Sequence, residues 1–200
     1  MGRLEEQIRP ILTPLILGEP GVLTSENQKL LAQWIALKVM VTEQNQPDEV
    51  VFTAVNRETF MLDQTIPVKV SISIARCFST QWRSQFLRCS AHLSAVTSLP
   101  PTVMPPADAG KNVQTTALGF GELFAYVIVS KSDTLDLYEL INDNWKIGEY
   151  LMQIFPFSSD PIALPMRYIV AEKIANGIST ALNRIVSDDA IRHYEDYFQQ

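Results

Sequence analysis

The sequence contains few of the residues from which metal sites and reactive centres are built. Its 200 residues include two cysteines and two histidines, and none of them stands in a Cys-x-x-Cys or His-x-x-x-His arrangement. A structural zinc site needs about four nitrogen or sulfur ligands. The sequence therefore predicts no metal site and no cofactor, and it favours free thiols in a reducing compartment.

Long apolar runs are also missing. No stretch approaches the roughly 20 uncharged apolar residues that a membrane-spanning helix requires. Glu5, Glu6 and Arg9 interrupt the first segment, where a signal peptide would be apolar. We therefore expect a cytoplasmic protein without a membrane partner, and the 46% hydrophobic content suits one globular domain over residues 1–200.

Negative charge is abundant overall but absent from one segment. The formal net charge of -6 argues against general binding to phosphate backbones, since that binding depends on many Lys and Arg residues. From Gln64 to Ala107, however, the chain has no Asp or Glu, and its charged residues there are Lys69, Arg76, Arg83 and Arg88. This asymmetry indicates surfaces of different charge.

Two prolines interrupt the helical periodicity of the opening segment MGRLEEQIRPILTPLILGE. Proline lacks the N–H that would bond the carbonyl four residues earlier. We therefore predict a first helix that ends near Arg9, and a separate turn or short helix that begins close to Pro14.

Two further helices have clear starting signals. The segment LTSENQKLLAQWIALKVMVTE has a wide apolar face, and Thr24 or Ser25 can cap it. A second, short helix is predicted around Asn56 to Leu62, introduced by Thr53 and ended before Ile66-Pro67.

The period changes to two in the segment PVKVSISIAR, which predicts a strand with one solvent-facing side. A second strand is predicted at roughly Ser84 to Val96. Pairing the two as an antiparallel hairpin places Lys69 opposite His92, Ser71 opposite Ser90 and Ser73 opposite Arg88. The same register leaves Cys77 and Cys89 too far out of step for a disulfide.

The remaining segments complete an α+β domain. TTALGFGELFAYVIVS is strand-prone, and its two glycines mark either a tight turn or a bulge. A helix over residues 135–142, a strand over 151–155 and C-terminal helices follow. We expect an antiparallel sheet of about four strands flanked by N-terminal and C-terminal helices, with a helical part (1–63), a β part (64–130) and a helix-rich part (131–200).

No catalytic residues are predicted. Cys89 and His92 would lie on opposite faces of one strand, and GFGELF lacks the third glycine of a dinucleotide-binding loop. The one notable group is the basic side of the predicted hairpin with nearby rings, which resembles a nucleic-acid surface in its residue types. Its members are Lys69, Arg76, Trp82, Arg83, Arg88 and His92, together with Phe78.

This basic group is also compatible with two structural roles. A solvent-facing strand can carry Lys and Ser simply to discourage edge-to-edge pairing. The positive block can also pack against the acidic C-terminal helices, within one chain or in a dimer.

Three segments carry a resemblance to a known family. LEEQIRPILTPLILGE, the helix containing Leu31, Ala32 and Trp34, and QIFPFSSDPIALP resemble the part of bacterial and phage HNH-endonuclease-related proteins that follows their zinc-finger-like module. Met1, Leu4 and Glu5 match the end of that module's motif. The resemblance implies a non-catalytic region, because the Cys and His residues of the nuclease module have no counterpart in this sequence.

The leading hypothesis is a non-enzymatic accessory or binding domain that contacts nucleic acid through the basic hairpin face. One alternative is an acidic protein-interaction or inhibitory module of phage or defence type, which engages a basic partner through Asp188, Asp189, Glu195 and Asp196. Another is a fragment of a larger HNH nuclease whose catalytic module lies upstream. The sequence leaves the oligomeric state open.

Overall fold

The computed structural model describes residues 2–67, 69–93, 110–132, 135–157 and 160–187. The helices in these ranges are α1 (Gly2–Leu17), α2 (Ser25–Thr42), α3 (Ala54–Asp63), α4 (Leu137–Trp145), α5 (Ile147–Tyr150) and α6 (Glu172–Ser179), and residues 181–187 are also helical. The strands are β1 (Gly21–Leu23), β2 (Val70–Cys77), β3 (Phe86–Ala91), β4 (Val113–Phe120), β5 (Leu123–Ser130), β6 (Met152–Phe155), β7 (Ile162–Leu164) and β8 (Ile169–Val170).

The main sheet has the strand order β3-β4-β5-β2-β6, and β8 adds a short parallel pair to the end of β2. All other pairs in this sheet are antiparallel, and β1 and β7 form a separate antiparallel pair. The predicted α+β class is therefore confirmed. The sheet has six strands instead of about four, because the short C-terminal segments β6 and β8 join it.

Helices cover both faces of the sheet. Alternate side chains of the strands contact opposite layers: Ile72 and Val127 belong to the core beneath α1, α2 and α3, whereas Ala75 and Tyr126 belong to the core beneath the C-terminal helices. Since side chains alternate along a strand, each central strand is buried on both sides. The result is a three-layer domain with two apolar cores.

This layering corrects the prediction of a solvent-facing side on β2. Ser71 and Ser73 are only 7% and 3% exposed. The amide nitrogen of Gln153 donates a hydrogen bond of 3.0 Å to the Ser71 hydroxyl, which supplies the partner that a buried polar group requires. The alternating Ser and Ile side chains of β2 face two different layers of the protein, and neither side of the strand faces water.

The predicted pairing of β2 with β3 is wrong. β2 pairs with β5, and β3 pairs with β4, so the β4–β5 hairpin lies between the two strands that we expected to be neighbours. The connection from β2 to β3 contains a 3₁₀ turn at Gln81–Ser84 and runs past the end of this hairpin. A short connection therefore links strands that are not adjacent.

Two glycines at the β4–β5 hairpin make this crossing possible. A Cβ atom on Gly119 would lie 1.6 Å from the carbonyl oxygen of Trp82, and one on Gly121 would lie 2.5 Å from the carbonyl oxygen of Ile16. Gly121 also has φ 59° at the first position of a two-residue turn, where type II′ hairpins require glycine. Of the two alternatives for GFGELF, the tight turn is the one observed.

The predicted break in the first helix is also wrong. α1 runs without interruption from Gly2 to Leu17 with Pro10 and Pro14 inside it. The prolines deprive only the carbonyls of Glu6 and Pro10 of their helical partners, and both of these residues are exposed, so water can satisfy them. Burial of the opposite side of the helix on α2 outweighs the two lost hydrogen bonds.

The helices whose capping residues are visible in the sequence begin where they were predicted. α2 begins after Thr24, whose hydroxyl accepts a hydrogen bond from the Asn27 N–H, and α3 begins after Thr53 with a reciprocal capping box. α4 and β6 lie close to the expected positions. Most of the proline-rich loop after β3 and the acidic tail from residue 188 lie outside the described residues.

Candidate interaction surface

The six residues predicted to form a basic face are not brought together. Lys69 immediately precedes β2 and Arg76 lies near its other end. Arg88 and His92 belong to β3 and the residues after it, on the far side of β4 and β5. The expected contact of Lys69 with His92 therefore does not exist, and no continuous stripe of these cations crosses the sheet.

Arg76 is engaged within the protein. Its Nε donates a hydrogen bond of 2.6 Å to Glu122, and its guanidinium lies 4.5 Å from the centre of the Phe78 ring. A carboxylate at this distance neutralises the charge that a phosphate would otherwise meet. Arg76 and Phe78 thus lie together, but the charge of Arg76 is already paired with Glu122.

Trp82 is a core residue. It is 1% exposed, its indole N–H donates a hydrogen bond of 2.8 Å to Asn176, and its ring packs edge-on against Phe124 with 5.0 Å between ring centres. A nucleic-acid base cannot stack on an aromatic ring that is almost completely covered by the protein. This placement corrects its assignment to a nucleic-acid surface.

Arg88 is the most unexpected of the six residues. Its side chain is 3% exposed, its Nη2 donates to the Gln46 side chain, and the same nitrogen lies 3.6 Å from Glu49. Its Nε and Nη1 have no hydrogen-bond partner in the described part of the chain. A buried guanidinium cannot contact a nucleic-acid backbone without movement of the 43–49 turn that covers it.

Arg83 and His92 remain near the surface. Arg83 is exposed on the crossing connection, and His92 is half-buried with Nδ1 at 3.0 Å from the carbonyl oxygen of Gly110. Lys69 is exposed and donates a hydrogen bond of 2.8 Å to the Ser132 carbonyl oxygen. These three exposed or half-buried residues lie in different parts of the fold.

Sequence reasoning missed a surface on α3. Val55, Met61 and Leu62 are 67%, 59% and 80% exposed, although all three are large apolar residues. At 3.6 residues per turn they fall, with Ala54 and Glu58, within an arc of about 120°. We call Ala54, Val55, Glu58, Met61 and Leu62 the α3 face. Clustered exposed apolar groups of this kind mark interaction sites more often than isolated ones do.

The opposite side of α3 anchors the helix firmly. Phe60 is 3% exposed and packs into the core beneath α2. Arg57 donates a hydrogen bond of 2.7 Å to Glu43, a carboxylate that is fully buried. The exposed apolar residues are therefore presented on a fixed helix.

Glu43 organises the segment that leads into α3. Its Oε1 accepts hydrogen bonds from the N–H groups of Val51 at 2.9 Å and Phe52 at 3.3 Å, while its Oε2 accepts from Arg57. Val51 and Phe52 are themselves buried. One carboxylate thus satisfies two buried backbone donors and fixes the position of α3 relative to α2.

A cavity of about 520 Å³ lies between the sheet and α4, but its polar groups are largely engaged with one another. Gln153 donates to Ser71, and Asp136 accepts from the Glu139 N–H at the start of α4. Burial raises the pKa of the Tyr138 phenol, and the carboxylates of Glu139 and Asp136 raise it further. The cavity offers few polar groups that are not already paired.

The two cysteines are free, as predicted, and both are buried. Cys77 ends β2 and Cys89 lies on β3, so two strands separate them instead of the register shift that we expected. Within the described ranges, no group of three or more His, Cys, Asp or Glu residues is arranged to hold a metal ion. No helix in those ranges is both long and apolar enough to cross a membrane.

Comparison with protein-family models, curated proteins and solved structures gives no match to this chain. The α3 face is therefore interpreted from its own chemistry.

Proposed function

We propose that this chain is a non-enzymatic binding domain that docks a basic, amphipathic helix of a partner protein on the α3 face. The observation that carries the proposal is the exposure of Val55, Met61 and Leu62 on one side of a rigidly anchored helix. This corresponds to the protein-interaction alternative drawn from the sequence, with a different surface.

The apolar part of the α3 face supplies the binding energy. Full burial of a Val, Leu or Met side chain contributes about 1.5–3 kcal/mol, and these three are already partly covered, so together they provide about 3–6 kcal/mol. Association costs consume much of this gain. What remains corresponds to weak binding, with a dissociation constant on the order of 1 mM or above for a single helical peptide.

The charges around the α3 face select a basic partner. Glu58 lies within the face, and Asp63 is exposed at the last position of α3. The one base of α3, Arg57, is paired with buried Glu43. The net charge of -6 on the whole chain adds to these carboxylates in favouring cations at the rim of the partner.

Fluorescence anisotropy with a designed helical peptide tests the proposal. The peptide carries Leu on one side and Lys on the other, and a second peptide replaces each Lys with Glu. We expect saturable binding of the Lys peptide only. Leu62→Ser should weaken it at least about tenfold, because one buried Leu is worth more than about 1.4 kcal/mol.

Leu17→Ser is the matched control, since Leu17 is 58% exposed at the end of α1, away from α3. It should bind as tightly as the unaltered protein. Equal losses in the two variants, or equal binding of the Glu peptide, would contradict the proposal. Concentration-dependent self-association that disappears in Leu62→Ser would instead assign the surface to a second copy of this chain.

Nucleic-acid binding is the second candidate function. It is favoured by the absence of acids from Gln64 to Ala107 and by the exposure of Arg83. A mobility shift at low salt that is lost in Arg83→Ala would support it, and we expect Arg88→Ala to have no effect on such a shift because Arg88 is buried. The relationship to HNH-type accessory regions and a cytoplasmic location are likewise proposals.

A further inference from the structure

A second cavity, of about 430 Å³, lies between α3 and the end of β5. Its walls come from α3, from the connection between α3 and β2, and from the last residues of β5 with Lys131 after them. Small-molecule sites in proteins have volumes of about 300–1,000 Å³. The cavity is therefore large enough for a metabolite of modest size.

The cavity lining combines an apolar floor with a cationic rim. Phe52, Ile66 and Val129 are buried core residues that form part of the floor. The ionisable residues in the lining are Lys69 and Lys131, accompanied by hydroxyl and amide groups that include those of Thr59 and Ser130, and no Asp or Glu of the described chain contributes to it. The chain as a whole is acidic, so a cavity whose two charged groups are both positive differs from the average charge of the protein.

The charge of Lys131 is only partly balanced by the carboxylate of Glu43. Glu43 is committed to Arg57 and to two backbone N–H groups. No described residue accepts a hydrogen bond from Lys131 Nζ or forms an ion pair with it. Partial desolvation lowers the pKa of Lys131, Arg57 lowers it further, and Glu43 opposes both effects. An anion in the cavity would relieve this imbalance.

Lys69 lines both this cavity and the one beneath α4. Its Nζ donates a hydrogen bond of 2.8 Å to the Ser132 carbonyl oxygen, just beyond Lys131 in sequence. An ammonium group has three donors, so it can hold contacts within the protein and a ligand oxygen at the same time.

We propose that this cavity binds a small organic anion, whose carboxylate or phosphate group contacts Lys131 and Lys69 while its apolar part covers Phe52 and Ile66. The site shares no residue with the α3 face: Asn56 and Thr59 are the residues of α3 that line it, and neither belongs to that face.

Titration of the full chain by two-dimensional amide NMR, with three probes, tests this site. The probes are inorganic phosphate, acetate and hexanoate. We expect saturable chemical-shift changes at the amides of Thr65, Ser130 and Lys131. Hexanoate should bind more tightly than acetate, by up to about fourfold for each methylene that reaches the floor. Preference for phosphate over both carboxylates would assign the site to phosphate-bearing ligands.

Lys131→Gln should weaken binding at least about tenfold, because it removes the cation and retains a long polar side chain. Lys29→Gln is the matched control, since Lys29 is exposed on α2 outside the cavity. Leu62→Ser, which disables the α3 face, should leave the titration unchanged. The proposal is overturned if no probe saturates by about 30 mM, or if Lys131→Gln and Lys29→Gln bind equally.

Discussion

Removal of the Glu43 carboxylate should destabilise the protein strongly. In Glu43→Ala, the N–H groups of Val51 and Phe52 lose their acceptor, and these two residues are only 0% and 1% exposed. Each unsatisfied buried donor costs about 1–3 kcal/mol. Arg57 retains partial exposure and can turn to water, so it adds little. The free energy of unfolding should therefore fall by about 2–6 kcal/mol.

The conservative variant separates the two roles of this carboxylate. Glu43→Gln keeps an acceptor for the backbone N–H groups but loses the charge that faces Arg57, so we expect a loss of about 1–2 kcal/mol. Glu58→Ala, on the exposed side of α3, should change the unfolding free energy by less than about 0.5 kcal/mol.

Urea unfolding followed by circular dichroism measures these differences in unfolding free energy, and thermal melts measure the corresponding shifts of Tm. For a chain of this size, about 1 kcal/mol shifts Tm by about 2–4 °C, so a loss of about 4 kcal/mol in Glu43→Ala corresponds to roughly 8–16 °C. A loss below about 1 kcal/mol in Glu43→Ala, or equal losses in the Gln and Ala variants, would refute the assignment of Glu43 as the shared acceptor.

Three further outcomes follow from the packing. Gly119→Ala should lower the free energy of unfolding by at least about 2 kcal/mol, because the new Cβ would lie 1.6 Å from a carbonyl oxygen. Gly177→Ala should raise it by up to about 1 kcal/mol, because a Cβ at this position of α6 meets open space. Thermal melts compare the two variants. Tyr126→Phe should lower the free energy of unfolding by less than about 1 kcal/mol in urea unfolding, since the buried hydroxyl faces Thr115 without a hydrogen bond of good geometry, and a larger loss would contradict this. Burial raises the pKa of the Cys77 and Cys89 thiols, so a chromogenic disulfide should react with them slowly in the native protein at about pH 8 and rapidly in urea; fast native reaction would show that they are accessible.

Helix starts were predictable because their signals are local. Thr24 and Thr53 each accept a hydrogen bond from an N–H three residues later, and that geometry depends only on the adjacent sequence. The turn at Gly121 was predictable for the same reason, as one of two alternatives. The fold class followed from the order of these elements along the chain.

Strand order was not predictable from the same information. β2 ends only nine residues before β3 begins, which favours a hairpin between them, yet the later β4–β5 hairpin inserts between the two strands. The polar residues Ser71 and Ser73 gave a second misleading signal, because serine is acceptable both in water and against a partner such as Gln153. Pairing is decided by contacts between distant segments, which the local pattern does not encode.

The α3 face escaped notice for a related reason. The helix was predicted, but four of its five apolar residues lie within one arc, a pattern that normally marks the buried side, and only the position of Phe60 in the core shows that the opposite side is covered. Arg88 illustrates the converse case. Its charge favoured an exposed site, whereas Gln46 and Glu49 from a distant turn cover it.

The most direct measurement of the proposed docking function is an amide NMR map of the protein with the Leu/Lys helical peptide. We expect the largest shift changes to lie within residues 54–63, on the exposed side of α3, and to disappear in Leu62→Ser but persist in Leu17→Ser. Largest changes within the acid-free segment around residues 69–93, with α3 unaffected, would contradict the assignment of the α3 face.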